Sequence, residues 1–200
     1  ADAASSPVIV ERVGDGSSSL SFTVPIAVVE YGSAGGVQRT LTTQFTGANL
    51  QTDGGSSFQG FMNANAGFVG VGGYGAATGS PITTNAKVAQ TLGTSGGVSS
   101  RVSITSPTVQ FANGGSIRSV LPTGASTFYV SGQSSLNPST GGIWLYNGTA
   151  FTQITTTLTD TRNLEIFGGQ LYVATTSGTS GIYKVGTGLP NSAATTTAVI

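Results

Sequence analysis

The chain has 200 residues, of which seven are basic, seven are acidic and 31 are glycine, and it contains neither histidine nor cysteine. Charged residues supply 7% of the sequence, against about 25% in an ordinary globular domain, and the formal net charge is zero. This composition excludes disulfides, Ser-His-Asp and Cys-His catalysis and the common zinc sites, and the scattered basic residues argue against nucleic acid as a partner.

Several features of the sequence favour an extracellular location. The first ten residues, ADAASSPVIV, lack the basic and apolar regions of a signal peptide but are typical of the end left after its removal. No run of 18 apolar residues predicts a membrane span. The polar composition is dominated by Ser, Thr and Gly instead of Lys. A chain without net charge also tends to associate with itself.

Short segments rich in Val, Ile, Thr, Tyr and Phe recur along the chain, bounded by Gly, Ser, Asn or Pro, and they predict β-strands. Helical periodicity is almost absent. The strands group into four units, at about 8–43, 57–105, 116–157 and 162–200. The first unit has three predicted strands and lacks the innermost one, whereas each of the others has four.

The last two units match each other most closely. Phe128-Tyr129-Val130 corresponds to Leu171-Tyr172-Val173, and Gly142-Ile143-Trp144 corresponds to Gly181-Ile182-Tyr183, about 40 residues later. Four-stranded units at this spacing are typical of β-propeller blades, whose faces are buried against neighbouring blades. We therefore predict one all-β domain over residues 1–200, a β-propeller-like array of about four antiparallel blades with a closed or incomplete ring. A β-sandwich is the alternative.

Three stretches resemble a group of secreted bacterial β-propeller-like proteins that are poor in charge and largely uncharacterised: VIVERVGDGSSSL, VVEYGSAGGVQRTL and GGQLYVATTSGTSGIYKVGTGLP. The resemblance covers most of the chain and rests on strand and turn patterns. It implies export and a propeller, and it carries over no catalytic residue. Chains of that group continue beyond the point at which this sequence stops, so the resemblance also implies part of a larger ring.

Carboxylates are the candidate catalytic groups that remain. A glycosidase needs two facing carboxyl groups about 5 to 9.5 Å apart. Glu11, on the first predicted strand, and Glu165, on the innermost strand of the last unit, would serve if they met near the axis. The alternative interpretation is that both face solvent or pair with Arg12 and Arg162.

Two acidic turns and one glycine-rich segment have a structural and a functional interpretation. Asp15, in Gly-Asp-Gly, and Asp53, in QTDGGSS, could contribute oxygens to a calcium site, but Asp-Gly is first a tight-turn signal. The glycines of GVGGYG, residues 70–75, could cradle a phosphate only if a helix followed. Close packing of strands is the interpretation that we favour there.

Aromatic and hydroxyl-bearing residues offer possible sites for sugars. Trp144 and Tyr74 are candidates for stacking on a glycan, with packing between blades as the alternative. Asn147 lies in an Asn-Gly-Thr sequon, and Asn-Gly also favours a type I′ hairpin turn. Thr-rich tracts such as TQITTTLTDT are possible sites of O-linked sugars.

These features predict a secreted, non-catalytic structural protein. We expect a subunit of an extracellular fibre, sheath or surface layer that assembles by pairing strand edges of identical chains, without a cofactor, a metal or a membrane span. A carbohydrate-binding propeller module with glycan partners is the alternative, followed by a carboxylate-based glycosidase.

Overall fold

The structure is a computed structural model that describes residues 7–17, 23–32, 35–41, 50–53, 61–80, 86–96, 98–104, 115–133, 141–176 and 178–200. Within these residues all regular elements are β-strands, and there is no helix. The predicted all-β class is therefore confirmed. The absence of helix agrees with the scarcity of helical periodicity in a chain rich in glycine and β-branched residues.

Sixteen strands are described. They are β1 Val8–Val13, β2 Thr23–Tyr31, β3 Val37–Leu41, β4 Leu50–Asp53, β5 Phe61–Asn65, β6 Phe68–Gly75, β7 Lys87–Gly93, β8 Val98–Ile104, β9 Ser116–Pro122, β10 Phe128–Gln133, β11 Gly142–Tyr146, β12 Phe151–Thr155, β13 Thr161–Phe167, β14 Gln170–Thr175, β15 Gly181–Val185 and β16 Thr196–Ala198.

Most of these strands form four antiparallel meanders, which we call units 1 to 4. Unit 1 comprises β1–β3, unit 2 comprises β5–β8, unit 3 comprises β9–β12 and unit 4 comprises β13–β16. The predicted hairpin of the last unit is confirmed, since Tyr172 pairs with Lys184 and Val173 with Tyr183. The corresponding strands of unit 3 pair in the same way, with Tyr129 opposite Leu145.

Additional pairings join the first three units into a single twelve-stranded sheet, while unit 4 is a separate sheet. Strand β4 pairs with both β2 and β6, which links units 1 and 2. The first strands of units 2 and 3 lie parallel, with Phe61 opposite Ser119 and Met62 opposite Val120.

Strand β1 contacts β5, the first strand of the next unit, through a hydrogen bond between Met62 and Glu11. It is one of three strands of unit 1 within the described residues, and the expectation that this unit lacks its innermost strand stays a prediction. The residues immediately after β3 lie outside the described residues.

Within the described ranges the hydrophobic core consists of three clusters, each between two successive units. The 1–2 core contains Ile26, Val28, Leu41, Val69, Val71, Val88 and Leu92. The 2–3 core contains Ala89, Ile104, Ile117, Val120, Phe128, Val130 and Trp144. The 3–4 core contains Leu121, Tyr129, Ile143, Ile154, Leu158, Leu164, Leu171, Val173 and Val185.

The alternation of side chains along a strand explains how the middle units contribute to two cores. Successive residues of a strand point to opposite faces of the sheet. In β10, Phe128 and Val130 therefore pack in the 2–3 core, whereas Tyr129 packs in the 3–4 core. Units 2 and 3 thus bury apolar side chains on both faces, which accounts for the unbroken apolar runs in their sequences.

The glycine-rich strand β6 lies unusually close to β9. A Cβ atom at Gly72 would lie 2.9 Å from Cδ1 of Ile117, and one at Gly70 would lie 2.9 Å from Cδ of Pro122 and still closer to the carbonyl oxygen of Val120. The residues after β6, as far as Ser80, form a turn and not a helix. Close strand packing therefore explains the glycines at 70–75.

We expect Gly70→Ala to destabilise the fold by about 2 kcal/mol, because the added methyl group collides with backbone that cannot move without disturbing the 2–3 core. Gly36→Ala is the matched control, since no atom lies within 4 Å of a Cβ at that position and its backbone is outside the left-handed region. Chemical denaturation of both variants measures the difference. Equal stabilities would contradict the close-packing explanation.

Candidate functional site

Polar side chains from the first strands of three units meet in the interior. The side-chain amide of Asn63 on β5 donates a hydrogen bond of 2.6 Å to the hydroxyl of Ser119 on β9. This hydroxyl lies 3.4 Å from Oδ1 of Asn163 on β13, to which it donates, and it accepts from the backbone N–H of Leu164 at 3.3 Å. Ser119 is fully buried and uses its donor and both lone pairs, so it fastens three strands together and is not free for chemistry.

An ionic cluster lies beside this contact, where unit 3 meets unit 4. The carboxylate of Asp160 lies between two guanidinium groups, 3.4 Å from Nη2 of Arg118 and 3.3 Å from Nη2 of Arg162. The hydroxyl of Thr176 donates to the same carboxylate at 2.7 Å. Arg118 also donates to the side chain of Gln133 at the end of β10. We call Arg118, Asp160 and Arg162 the ionic cluster.

Arg118 is the most deeply buried member of the ionic cluster, with only 3% of the residue exposed. Burial lowers the pKa of its guanidinium group, and the negative charge of Asp160 opposes that effect. Among the described residues, its Nε and Nη1 atoms have no hydrogen-bond partner. Arg118 therefore depends on Asp160 for its counter-charge, and the cluster acts as an electrostatic clamp between units 3 and 4.

Glu11 lies on the face of β1 that points towards unit 2. Its carboxyl group accepts a hydrogen bond from the backbone of Met62, and its Oε1 atom is buried without a hydrogen-bond partner in the described part of the chain. Burial raises the pKa of Glu11 to about 8, with the Met62 hydrogen bond acting in the opposite direction. The expectation that Glu11 faces solvent or pairs with Arg12 therefore does not hold.

The structure does not present Glu11 and Glu165 as facing carboxyl groups. A protonated Glu11 could donate a proton as a general acid does, but its carboxyl group lies against unit 2 and does not face Glu165. Glu165 is exposed on the face of unit 4 that points away from unit 3, since Leu164 and Ile166 on either side of it pack in the 3–4 core. Asp160, and not Glu165, is the ionic partner of Arg162.

The two candidates for sugar stacking are both buried. Trp144 is 7% exposed and belongs to the 2–3 core. Tyr74 is fully buried on β6, and the ammonium group of Lys87 lies 5.6 Å from the centre of its ring. A sugar ring cannot stack on either side chain without displacing a neighbouring strand, so packing between units accounts for both positions.

Asn147 lies in the exposed connection between β11 and β12. Its Oδ1 atom accepts hydrogen bonds from the backbone N–H groups of Thr149 and Ala150 and from the Thr149 hydroxyl. The connection spans four residues between the paired Tyr146 and Phe151, so the hairpin forms but not as a two-residue type I′ turn. The side chain of Asn147 stabilises the turn together with a backbone hydrogen bond of 3.1 Å from the N–H of Asn147 to the carbonyl of Ala150, and Gly148 adopts a positive φ.

The two acidic turns differ in what the structure describes. Asp15 lies between two glycines with positive φ, and its Oδ1 accepts from the backbone N–H and hydroxyl of Ser17, which confirms the turn. The same turn lines a cavity of about 420 Å³. The loop after Asp53 lies outside the described residues. No group of three or more acidic residues forms a metal site within the described ranges.

The interior polar residues were not singled out by the sequence. A usable signal was present, because Arg118-Ser119 and Arg162-Asn163 occupy the same place in units 3 and 4, two consecutive polar residues in the first strand of each unit. Such a repeated polar pair inside an apolar strand marks a position where strands converge. Asp160 has no such counterpart in unit 3, and only its contacts in the structure identify it as part of the ionic cluster.

Comparisons with protein-family models, with curated proteins and with solved structures find no match to this chain. The described residues include no helix with the length and apolar character needed to cross a membrane.

We expect Asp160→Asn to destabilise the fold by about 3 kcal/mol, because it leaves the buried charge of Arg118 without a counter-charge. The double variant Arg118→Met, Asp160→Asn should recover most of that loss, since it removes the buried charge as well. Glu165→Gln removes an exposed carboxylate and is the control. Urea denaturation compares the four proteins, and a double variant as unstable as Asp160→Asn would argue against the clamp.

We also expect the free energy of unfolding to fall as pH rises from about 4.5 to about 8. In this range Glu11 is protonated in the folded state and ionised in the unfolded state. The unfolded side chain ionises near its ordinary pKa of 4.5 and the folded one near 8, so the folded state binds more protons between these values. Glu11→Gln does not ionise, so its free energy of unfolding should exceed that of the parent by an amount that grows from about pH 4.5 to pH 8. Below and above this range the difference should be constant. A gain that does not vary with pH would show that Glu11 is not protonated in the fold.

Proposed function

We propose that this chain is an extracellular, non-catalytic structural module that associates with copies of itself into a fibre, sheath or surface layer. The absence of His and Cys from the sequence supports a non-catalytic role. The 7% content of charged residues supports self-association, because few surface charges are present to keep copies apart. The burial of Trp144 and Tyr74 gives no support to the carbohydrate-binding alternative.

We further propose that the four units are blades of a β-propeller-like array. Each is an antiparallel meander, and each core lies between successive units, as between stacked blades. In a two-layer sandwich each sheet buries one face, whereas units 2 and 3 bury both. The approach of the first strands to one another, with β5 parallel to β9, also favours blades arranged around a common axis.

The observation that carries the proposed function is the open edge at β16. Within the described residues this strand pairs only with β15, and it contains neither charge nor proline. Exposed edges of this kind pair with other chains unless charge, proline or a covering segment prevents it. Two exposed apolar residues, Val199 and Ile200, follow directly.

Other outer edges carry protection that β16 lacks. Arg39 lies in the middle of β3 and Arg101 in the middle of β8. The segment that precedes β16 covers the outer edge of β12, since the N–H of Ala194 donates to the carbonyl of Ile154 at 2.7 Å. Edge pairing therefore favours β16 as the point of contact between copies.

We expect the purified chain to form species larger than 19.9 kDa as its concentration rises, and we expect Ala198→Lys to reduce them, because a charge on the edge opposes strand pairing. Thr78→Lys, which places the same charge in an exposed turn of unit 2, is the control. Sedimentation velocity and negative-stain microscopy give the size distribution. A uniform monomer at all concentrations would contradict the proposed function.

A further inference from the structure

Among the described residues, exposed large apolar side chains occur only in the two outer units. In the part of the chain that the structure describes, none occurs in unit 2 or unit 3, and the most exposed are Phe167, at 77%, and Ile200, at 80%. The full set in unit 1 is Val8, Val10 and Val37, and in unit 4 it is Phe167, Ile182, Leu189, Val199 and Ile200. Within the described part of the chain, units 2 and 3 each pack against a unit on both faces, whereas units 1 and 4 each pack against one.

The free face of unit 4 repeats the face by which unit 3 contacts unit 4. Tyr129 and Ile143 of unit 3 point towards unit 4 and are 1% and 0% exposed. The repeat places Tyr172 and Ile182 at the same positions of unit 4, on the face that points away from unit 3. Ile182 is 39% exposed there. A contact surface that is covered in unit 3 is therefore present and uncovered in unit 4.

The strand registers of the two units support this equivalence. Tyr129 lies opposite Leu145, and Tyr172 lies opposite Lys184 at the matching position. The opposite faces match as well, since Tyr183, the counterpart of Trp144, packs against the 3–4 core as Trp144 packs in the 2–3 core. Each unit thus has one face directed to the preceding unit and one face directed to the following unit.

The free face of unit 1 corresponds to the face that each later unit packs against the unit before it. Ile9 and Glu11 point towards unit 2, so the alternate residues of β1 point away from it. These are Val8, Val10 and Arg12, all exposed, whereas Val29, which lies opposite Val10 on the same face, is 2% exposed. This face combines apolar side chains with one positive charge.

We propose that the free face of unit 4 is the docking site for the free face of unit 1 of a second copy of this chain. In each of the three cores, the face that one unit directs to the following unit packs against the face that the next unit directs back to it. The proposed contact repeats this arrangement between two copies of the chain. The free face of unit 4 carries one acidic and one basic residue, Glu165 and Lys184, and Glu165 is opposite in charge to Arg12 on unit 1. The proposal rests on the self-association proposed above and assigns it a second surface, distinct from the β16 edge.

This contact uses different surfaces on the two partners, so it is heterologous. A heterologous contact leaves one free surface of each kind at the ends of any open assembly. Repetition then produces a closed ring of copies or a continuing filament, according to the rotation between neighbours. The edge at β16 remains available in either case, so the two surfaces can connect copies in different directions.

The test uses two variants that each block one face, both made in the Ala198→Lys background so that the β16 edge does not contribute to association. Ile182→Lys places a charge on the face of unit 4, and Val10→Lys places one on the face of unit 1; Thr78→Lys is again the control. Each face variant alone should weaken association at least tenfold by sedimentation equilibrium. An equimolar mixture of the two should recover a species of twice the chain mass, because the intact unit 4 of one variant meets the intact unit 1 of the other.

The mixture distinguishes the proposal from its alternatives. An isologous contact, unit 4 to unit 4 or unit 1 to unit 1, leaves one face variant associating on its own and would overturn the proposal. If Ala198→Lys alone disperses all association, or if neither face variant affects what remains, the docking proposal fails and the proposed function stands. A parent chain that is monomeric at all concentrations contradicts both. Near-ultraviolet circular dichroism checks the fold, and Ile182→Thr repeats the test with an uncharged side chain.

Discussion

Packing of one sheet face against the next is the interaction on which the rest of this structure depends. A three- or four-stranded meander with an apolar face must bury that face against another element. Here the middle units bury two faces, and the three cores follow one another along the chain. The scarcity of charge follows from this arrangement, because successive residues such as Phe128 and Tyr129 both point into a core.

The same packing determines where polar groups can lie in the interior. Where first strands converge, a buried hydroxyl or amide must find partners among the strands it meets. Ser119 satisfies this requirement with Asn63, Asn163 and the N–H of Leu164. The ionic cluster meets the corresponding requirement for charge. These contacts connect units 2, 3 and 4 without adding apolar area, so they fix relative position more than they contribute burial.

Much of the fold was predictable from the sequence, because hairpin pairing leaves a local pattern. The match between Phe128–Val130 and Leu171–Val173 predicted two hairpins that the structure contains in the same register. The parallel pairing of β5 with β9 was not predicted, since it joins residues far apart in sequence through contacts that no short motif records.

The candidate site was less predictable than the fold for a related reason. Burial of a charged residue depends on what packs over it. The alternation of β1 leaves open which of its faces is covered, and the contact with β5 is what leaves Glu11 half-buried, with a raised pKa. Likewise the sequence allowed Trp144 to be either a binding platform or a core residue, and the position of unit 2 decided it. The turn at Asn147 is longer than the two-residue turn expected, and its backbone and the Asn147 side chain both close it.

The double-sided burial of β10 has a consequence for changes in chain length. Insertion or deletion of one residue in a strand reverses the direction of every side chain beyond it. In β10 such a change would move Tyr129 into the space of Val130 and exchange the contents of two cores at once. In β1 it would disturb one core, because Ile9 packs against the 1–2 core whereas Val8, Val10 and Arg12 on the other face are exposed. Tolerance to insertions should therefore be lowest in the middle of the array and greatest in its turns and outer strands.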